Sequence, residues 1–399
     1  MTKQHTFTQR RWRMLILYAL INLCAGSVYS WSVFAIPLQA QLQTDNLTVA
    51  YTVAVSIGPI TMISGGFLQR TFGTRKILVF SGLLYGLSML AASCASGFWP
   101  FFLTYGWGCG LAIGLAYGAA VSNSVQMFPD RRGLAGGIAA ATYGGSAIIV
   151  PPIANAMILQ FGAITSFRIL AIVILVVISV CGFFIEECPE NFVPDGWTPP
   201  QNQSPSGGVN WKQMISTPLF YVMLLLLLCG AVSGTTVVSQ ASSIAQHLVG
   251  MGTASAAIMV STLSAFNAGG RVASGWLSDR IGRINTLTLM LCISLLGLFL
   301  ISTSKTGSYV QFAIGMASIG LGYGAFLGVF PSFTADRFGQ KHQSVNYGIM
   351  FIGFSIAGLT APNIASAVYA GSGSYQPAFL LAAVLCVIGL VLTFIYRKL

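Results

Sequence analysis

Long apolar runs repeat along the whole chain, and short polar intervals separate them. Each run spans about 20 residues or more, the length that an α-helix needs to cross ~30 Å of hydrocarbon. A transmembrane β-barrel would show segments of ~10 residues with alternating polarity instead. The pattern therefore predicts an all-α membrane protein with twelve transmembrane helices, at about 14–38, 49–70, 76–96, 99–127, 134–160, 167–185, 217–246, 253–276, 284–303, 308–333, 344–370 and 376–396.

The composition indicates a chain whose surface faces a lipid bilayer. Only 7% of its 399 residues are charged and 55% are hydrophobic, whereas a soluble domain carries roughly 25% charged residues. The net charge is +11, but sixteen Lys and Arg residues fall in the segments on the side of the termini and two fall in the opposite loops. This bias follows the positive-inside rule. It predicts cytoplasmic termini in a multi-pass protein of a bacterial inner membrane, and no nucleic-acid partner.

The longest polar interval divides the predicted helices into two equal sets. Residues 186–216 are rich in Pro, Gly, Ser, Asn and Gln, which is typical of a linker. Six predicted spans lie before this interval and six lie after it. We therefore predict an N-terminal six-helix bundle at 1–185, a cytoplasmic linker at 186–216 and a C-terminal six-helix bundle at 217–399, in a monomeric protein.

The two halves repeat each other in the loops after spans two and eight. The stretch "GWLSDRIGR" begins at Gly275, and "GFLQRTFGTRK" begins at Gly66, 209 residues earlier. A second echo joins "MFPDRRG" after span four to "FTADRFG" after span ten. A duplicated six-span unit is typical of transporters whose site lies near the membrane midplane.

The loop after span eight resembles the signature G-x-L-x-D-R-x-G-R of the major facilitator superfamily. The resemblance implies the twelve-helix fold of that family and a loop that holds the inward-closed arrangement. The first copy departs from the pattern, because Arg70 stands where the signature has Asp. The signature residues of the two copies are Gly275, Asp279, Arg280, Gly282 and Arg283, with Gly66, Gly73 and Arg75.

Four further stretches resemble the oxalate/formate antiporter branch of that superfamily, which is related to the monocarboxylate transporters. They are "GSVYSWSVFAIPL" in span one, "MFPDRRGLAGG" after span four, "FNAGGRVASGWLSDRIGR" in span eight and "NYGIMFIGF" in span eleven. The resemblance implies a cavity walled by spans one, four, five, eight, ten and eleven. It also implies aromatic site residues at Tyr29, Tyr117, Tyr143, Tyr323 and Phe351.

Arg271 lies inside an apolar span, eight residues before Asp279 and hence ~12 Å deeper along a helix. A cation at the centre of a span costs about 2.5–3.5 kcal/mol on insertion scales, and no predicted span holds an Asp or Glu to pair with it. A guanidinium offers a planar fork of donors that fits a carboxylate. We therefore predict that Arg271 binds an anionic substrate. The alternative is a structural role, such as bonding backbone carbonyls.

Phe354 narrows the class of anion. The resemblance implies a lysine at this place in branch members that carry the dicarboxylate oxalate. With one cation in the site, a dianion would leave one charge uncompensated in a medium of low dielectric. We therefore predict a secondary transporter for a small monocarboxylate of the formate, lactate or pyruvate type, with Phe354 in its substrate site.

Several alternatives stay open. An oxalate/formate-type anion exchanger or a drug or amphipath exporter would share the fold, and a sensor that does not transport would share the buried arginine. Exchange, uniport and proton symport all fit spans without Asp or Glu, because a carboxylic acid can carry its own proton. The spans contain no Ser/His/Asp group, carboxylate pair or metal cluster, so we predict neither an enzyme nor a cofactor.

Overall fold

The structure is an assembly of α-helices, as the hydrophobic pattern predicts. It is a computed structural model that describes residues 3–42, 47–189, 192–198 and 208–399. No β-strand occurs in these ranges. The predicted fold class is therefore confirmed.

Twelve long helices follow one another within the described ranges, and some consist of several segments. In the first half, α1 comprises Lys3–Ala25, the 3-10 turn Gly26–Ser30 and Trp31–Leu42; α2 comprises Leu47–Ser56 and Gly58–Phe72; α3 is Thr74–Ala92; α4 comprises Phe98–Phe101, the π-helical Phe102–Cys109 and Gly110–Met127; α5 is Arg132–Phe161; and α6 is Ala163–Phe183. After the short helix Trp211–Ile215, α7 is Pro218–Val249, α8 is Thr253–Ile281, α9 is Arg283–Ser302, α10 is Tyr309–Phe338, α11 comprises Gln343–Met350 and Ile352–Ser372, and α12 is Gln376–Lys398.

Eleven of these helices are apolar enough to cross a membrane. Ten pass singly, and the two segments of α2, bent by 48° relative to each other, make the eleventh. The remaining helix, α8, is long enough at 29 residues, but polar residues such as Asn267 and Arg271 dilute its apolar character. α8 packs against α5 and α10 through its buried residues, which include Gly270, Arg271, Ser274 and Gly275. The structure is thus consistent with twelve membrane-crossing helices.

Two helices end further along the chain than the hydropathy boundaries predict. α8 continues to Ile281 and α10 continues to Phe338, so Asp279 and Asp336 belong to the last turns of helices rather than to loops. Hydropathy falls where charged residues begin, whereas backbone hydrogen bonds continue past that point. The prediction that the spans hold no carboxylate is therefore wrong for the full helices, although neither residue forms an ion pair with Arg271.

Breaks in three helices shape the centre of the molecule. The 3-10 turn Gly26–Ser30 interrupts α1, α2 bends between Ser56 and Gly58, and α11 is interrupted at Phe351. Gly26 lies so close to α5 that a Cβ would collide with the carbonyl of Tyr143. Interruptions of the backbone ladder change the direction of a helix, and here they lie beside the central cavity.

The two halves of the chain meet closely at one end of the assembly. We call it the basic end, and it carries Arg70, Arg132, Arg283 and Lys341. There, Gly275 of α8 lies against the backbone of Gly133 on α5, and Gly66 of α2 lies against Val345 on α11. Small residues allow membrane helices to approach closely. These contacts close the basic end.

The interval between the halves packs against both of them where it is described. Phe192 meets Phe7 of α1 edge-on, with ring centroids 4.9 Å apart, and the Val209 amide donates to the Phe338 carbonyl at the end of α10. Residues 190–191 and 199–207 of the predicted linker lie outside the described residues. The domain boundaries at 185 and 217 therefore stay a prediction.

Candidate substrate-binding site

Arg271 is held by α5 and by its own helix. The residue is only 5% exposed. Its Nη1 donates to the Ala140 carbonyl at 2.7 Å, and its Nε donates to Oδ1 of Asn267 at 2.9 Å. Both acceptors are neutral, and no carboxylate in the described part of the chain forms an ion pair with it. The guanidinium is therefore oriented without being neutralised.

A glycine on α5 makes room for this guanidinium. A Cβ on Gly144 would lie 2.6 Å from Cζ of Arg271, closer than real contacts allow. The next residue, Gly145, faces open space, since a Cβ there would have no atom within 4 Å. Of these two adjacent glycines, Gly144 must remain a glycine for Arg271 to keep its present position, whereas Gly145 need not.

A central cavity of about 150 Å³ lies beside Arg271. All six spans implied by the family resemblance contribute to its lining, and α2 contributes as well, through Ala54, Ser56 and Met62. Sequence reasoning missed the contribution of α2. Six of the seven predicted substrate-site residues line the cavity: Tyr29, Tyr117, Tyr143, Arg271, Phe351 and Phe354.

The aromatic residues of the cavity form a continuous chain of ring contacts. Tyr143 meets Tyr29 at 5.6 Å and Tyr117 at 4.7 Å between centroids. Tyr117 then meets Phe351 at 6.1 Å, and Phe351 meets Phe354 at 4.8 Å. The Tyr117–Phe351 contact joins the two halves. Three tyrosines thus line the wall from the first half, whereas α11 contributes Phe351, Phe354 and the polar Ser355.

Tyr323 is the predicted site residue that lies outside this lining. It is 8% exposed and stacks on Phe354 with centroids 6.0 Å apart. Its other side packs against α7, where a Cβ on Gly234 would collide with the ring. Tyr323 therefore supports the cavity wall from behind rather than facing a ligand in it.

Two residues that orient Arg271 were absent from the sequence prediction. Asn267 could have been found, because residues four apart on a helix are neighbours. Gly144 carries no such signal, since its role depends on how closely α5 and α8 approach. The Ala140 carbonyl is a backbone group, which every residue has, so the sequence could not indicate this contact.

The loop signature forms a charged network across the basic end. The Asp279 carboxylate accepts from the amides of Gly133 and Leu134, both at 2.8 Å, and thereby caps the N-terminus of α5. Arg283 donates to Asp279 at 2.7 Å and to Asp336 at 2.8 Å, and Asp336 also pairs with Arg132 at 2.6 Å. A carboxylate at a helix N-terminus is favourable, so this network joins the two halves.

The other signature residues do not enter that network. Arg280 lies over the Trp276 ring at 3.9 Å and Arg75 lies over the Phe183 ring at 4.0 Å. Gly73 and Gly282 have φ values of +82° and +89°, a conformation that residues with a Cβ rarely adopt. These glycines allow the tight turns between α2 and α3 and between α8 and α9.

The first-half copy of the signature makes a neutral contact instead. Ser344 of α11 donates its hydroxyl to Oε1 of Gln69 at 2.7 Å, and Arg70 donates to the Lys341 carbonyl at 3.2 Å. The two copies of the signature therefore make contacts of different chemistry. One interface between the halves is charged, and the other is held by neutral acceptors.

Comparison with known proteins relates both the sequence and the fold to membrane transporters. Residues 14–362 and 285–399 match the Major Facilitator Superfamily. The MFS-type transporter YhjX of Escherichia coli is 29% identical over 88% of this chain and 87% of its own length. The oxalate:formate antiporter of Oxalobacter formigenes is 26% identical over 94% and 88%, and human monocarboxylate transporter 12 is 23% identical over 93% and 77%.

Solved structures support the same fold assignment. The E. coli fucose:proton symporter FucP superposes with a TM-score of 0.73, over 96% of this chain and 98% of that one, at 13% sequence identity. At this identity the likeness concerns the fold alone. The apolar helices show a multi-pass membrane protein. The family match identifies this chain as a member of the Major Facilitator Superfamily of transporters, related to the oxalate/formate branch.

Proposed function

We propose that this transporter moves a small monocarboxylate of the formate, lactate or pyruvate type, and that Arg271 binds the carboxylate. The observation that carries the proposal is a guanidinium bonded to the Ala140 carbonyl and the Asn267 amide, with no paired carboxylate in the described part of the chain. Its remaining donors can bind a carboxylate, and such charge-assisted bonds are about twice as strong as neutral ones. A bound anion would balance the cation inside the cavity.

Charge counting favours a monoanion over a dianion. Arg271 is the one cationic residue among those that line the described cavity, and Phe351 and Phe354 form an apolar wall in the second half. A second carboxylate would lie uncompensated in a site partly shielded from water. Oxalate/formate-type exchange is the second candidate, because one relative is named an oxalate:formate antiporter.

Alternating access is the transport mechanism that fits a site between two pseudo-equivalent halves. We infer that the basic end is cytoplasmic, as the positive-inside bias predicts, and that both termini lie there in a bacterial inner membrane. The cavity would then face the outside while the charged network closes the cytoplasmic side.

Antiport is the preferred coupling, because the oxalate:formate relative is named an antiporter. An exporter of cationic amphipaths is disfavoured by the arginine in the cavity.

The test is uptake by proteoliposomes that are preloaded with unlabelled lactate. Labelled lactate uptake would be measured against an excess of unlabelled formate, pyruvate, lactate or oxalate. We expect competition by the three monocarboxylates and little by oxalate. Strong competition by oxalate would overturn the substrate class but leave the transporter assignment intact.

A matched pair of arginine variants tests the role of Arg271. Arg271→Gln removes the cation from the cavity, whereas Arg280→Gln removes an arginine of the same helix that stacks on Trp276. We expect transport to be lost only in the first variant, with equal insertion of both. Arg271→Lys should restore part of the activity, because lysine keeps the charge but loses the planar fork. Full activity of Arg271→Gln would refute the proposed role.

A further inference from the structure

A second cavity lies at the basic end, far from the aromatic chain of the central site. Its volume is about 250 Å³, and its lining is polar. Both halves contribute to it, so its shape depends on the closed arrangement of this end. The residues that line it are Gly66, Gln69, Arg70, Gly73, Thr74, Asn123, Gln126, Glu187, Cys188, Lys341, His342 and Ser344.

The charged groups of this cavity are unbalanced. Arg70 from the first half and Lys341 from the second half both line it, and neither pairs with a carboxylate in the described residues. Among the described residues of the lining, Glu187 is the one carboxylate, and its Oε1 accepts from the Thr74 amide at 2.9 Å. Two cations thus face one carboxylate that is already bonded to the start of α3.

The pseudo-equivalent place in the second half holds a carboxylate. Position 279 minus the repeat offset of 209 is position 70, so Arg70 stands where Asp279 stands in the other copy. Asp279 bonds the second and third amides of α5. The corresponding amides of α11, those of Ser344 and Val345, have no acceptor among the described residues. Val345 packs against Gly66, whereas Ser344 lines the cavity. The Ser344 amide therefore lacks the anion that Asp279 supplies in the other copy.

We infer that this basic-end cavity binds a small oxyanion of the phosphate type. Arg70 and Lys341 approach it from opposite halves, and the Ser344 amide adds a donor at the start of α11. A phosphate carries enough acceptor oxygens to meet several donors at once. The bound anion would join α2 to α11 as Asp279 joins α8 to α5, and would stabilise the closed basic end. This site is separate from the central cavity and does not depend on which anion is transported.

The phosphate group could come from the free ion or from a lipid headgroup, and the first measurement addresses the free ion. Thermal unfolding of the purified full chain would be followed by tryptophan fluorescence while inorganic phosphate replaces chloride at constant ionic strength. We expect a saturable rise in melting temperature with phosphate and not with chloride, because a ligand that binds only the folded state stabilises it.

Four variants locate the effect. Lys341→Gln and Arg70→Gln should each weaken the apparent affinity for phosphate about tenfold, as expected for the loss of one charge-assisted contact. Arg280→Gln, which removes a cation of the same end that lies outside the cavity, should leave the affinity unchanged. Arg271→Gln should also leave it unchanged. Loss of the phosphate effect in Arg271→Gln would place the anion in the central cavity and overturn the inference.

The second measurement separates the two sources of phosphate. Nanodiscs of phosphatidylcholine alone would be compared with nanodiscs that contain phosphatidylglycerol. Both lipids carry a phosphate, but only that of phosphatidylglycerol has no cation in its own headgroup. A stabilisation that requires phosphatidylglycerol and is lost in Lys341→Gln supports the site with the phosphate of an anionic lipid as its ligand. If neither phosphate nor phosphatidylglycerol stabilises the protein, or if both act equally on Lys341→Gln, the inference is wrong.

Discussion

Arg271 and Asn267 lie one helical turn apart on α8, and the arginine Nε donates to the asparagine Oδ1 at 2.9 Å. The amide fixes the direction of the guanidinium without supplying a negative charge. Because the second partner is the Ala140 carbonyl, the cation stays available for an anionic ligand. The chemical difference between an amide and a carboxylate at position 267 is therefore central to the proposed function.

Asn267→Asp is expected to weaken substrate binding at neutral pH far more than Asn267→Ala does. The ionised carboxylate of the aspartate variant would pair with Arg271 and neutralise it. Substrate anions would then lose the charge that binds them.

Competition uptake of labelled lactate at pH 7 would compare both variants with the parent protein. The alanine variant loses the positioning contact but adds no charge, so its apparent affinity for lactate should fall only modestly. If Asn267→Asp transports like the parent at neutral pH, the charge of Arg271 is not what binds the substrate.

Gly144→Ala is expected to abolish transport in a protein that still folds. The new Cβ would lie 2.6 Å from Cζ of Arg271 and 2.8 Å from Nη1, so the guanidinium must leave its present position. Gly145→Ala adds the same methyl group next door, where nothing lies within 4 Å of it. Uptake of labelled lactate should therefore be lost in the first variant and kept in the second. Equal activity in both would show that the observed position of Arg271 is not required.

The sequence predicts the helices well because hydropathy has a simple physical cause. A run of apolar residues long enough to cross the bilayer must form a helix, since its backbone groups find no partner in lipid. The same reasoning identifies Arg271 as a candidate functional residue, because a cation inside such a run is energetically costly. It fails at the helix ends, where Asp279 and Asp336 lie in turns that hydropathy assigns to loops.

The sequence alone could not predict roles that depend on how closely two helices approach. Gly144 is one of several glycines on α5, and only the distance to α8 separates it from Gly145. Tyr323 was predicted with the other aromatic residues, yet it lies behind Phe354. The family resemblance predicts the helix on which a residue lies and its depth along that helix. Whether its side chain lines the cavity or lies behind another side chain depends on how the neighbouring helices pack.

Asp279→Asn is expected to loosen the closed basic end. The variant weakens the contacts with the Gly133 and Leu134 amides and with Arg283. Hydrogen bonds to charged groups contribute about 1.5–3 kcal/mol each, so the population of the open arrangement should rise by more than tenfold. Arg280→Gln is the matched control, since Arg280 stacks on Trp276 outside the network.

Alkylation of Cys188 would report that opening. Burial raises the pKa of this thiol to about 12, and Cys188 lines the basic-end cavity. A raised pKa means that little thiolate is present at pH 7, so alkylation in the closed state should be slow and should keep rising up to high pH. Exposure would return the pKa towards about 8.5. In a variant with Cys188 as the one cysteine, Asp279→Asn should therefore react faster at pH 7, and an unchanged rate would contradict the role of the network.

Phe354→Lys is expected to convert the site to one that accepts oxalate. Phe354 lines the central cavity together with Arg271, so a lysine there would add a second cation to the same space. Oxalate would then find one positive charge for each carboxylate, while a monocarboxylate would leave one cation unpaired. Each charge-assisted bond contributes about 1.5–3 kcal/mol, which predicts a shift of roughly tenfold to a hundredfold in the ratio of oxalate to lactate affinity.

Phe354→Leu separates this charge effect from the loss of the aromatic ring. Phe354 stacks on Tyr323 and Phe351, so both variants remove ring contacts, but only one adds a charge. Competition by oxalate against labelled lactate should increase in Phe354→Lys and stay low in Phe354→Leu. A folded Phe354→Lys protein that still rejects oxalate would mean that cavity shape, and not the number of cations, selects the substrate.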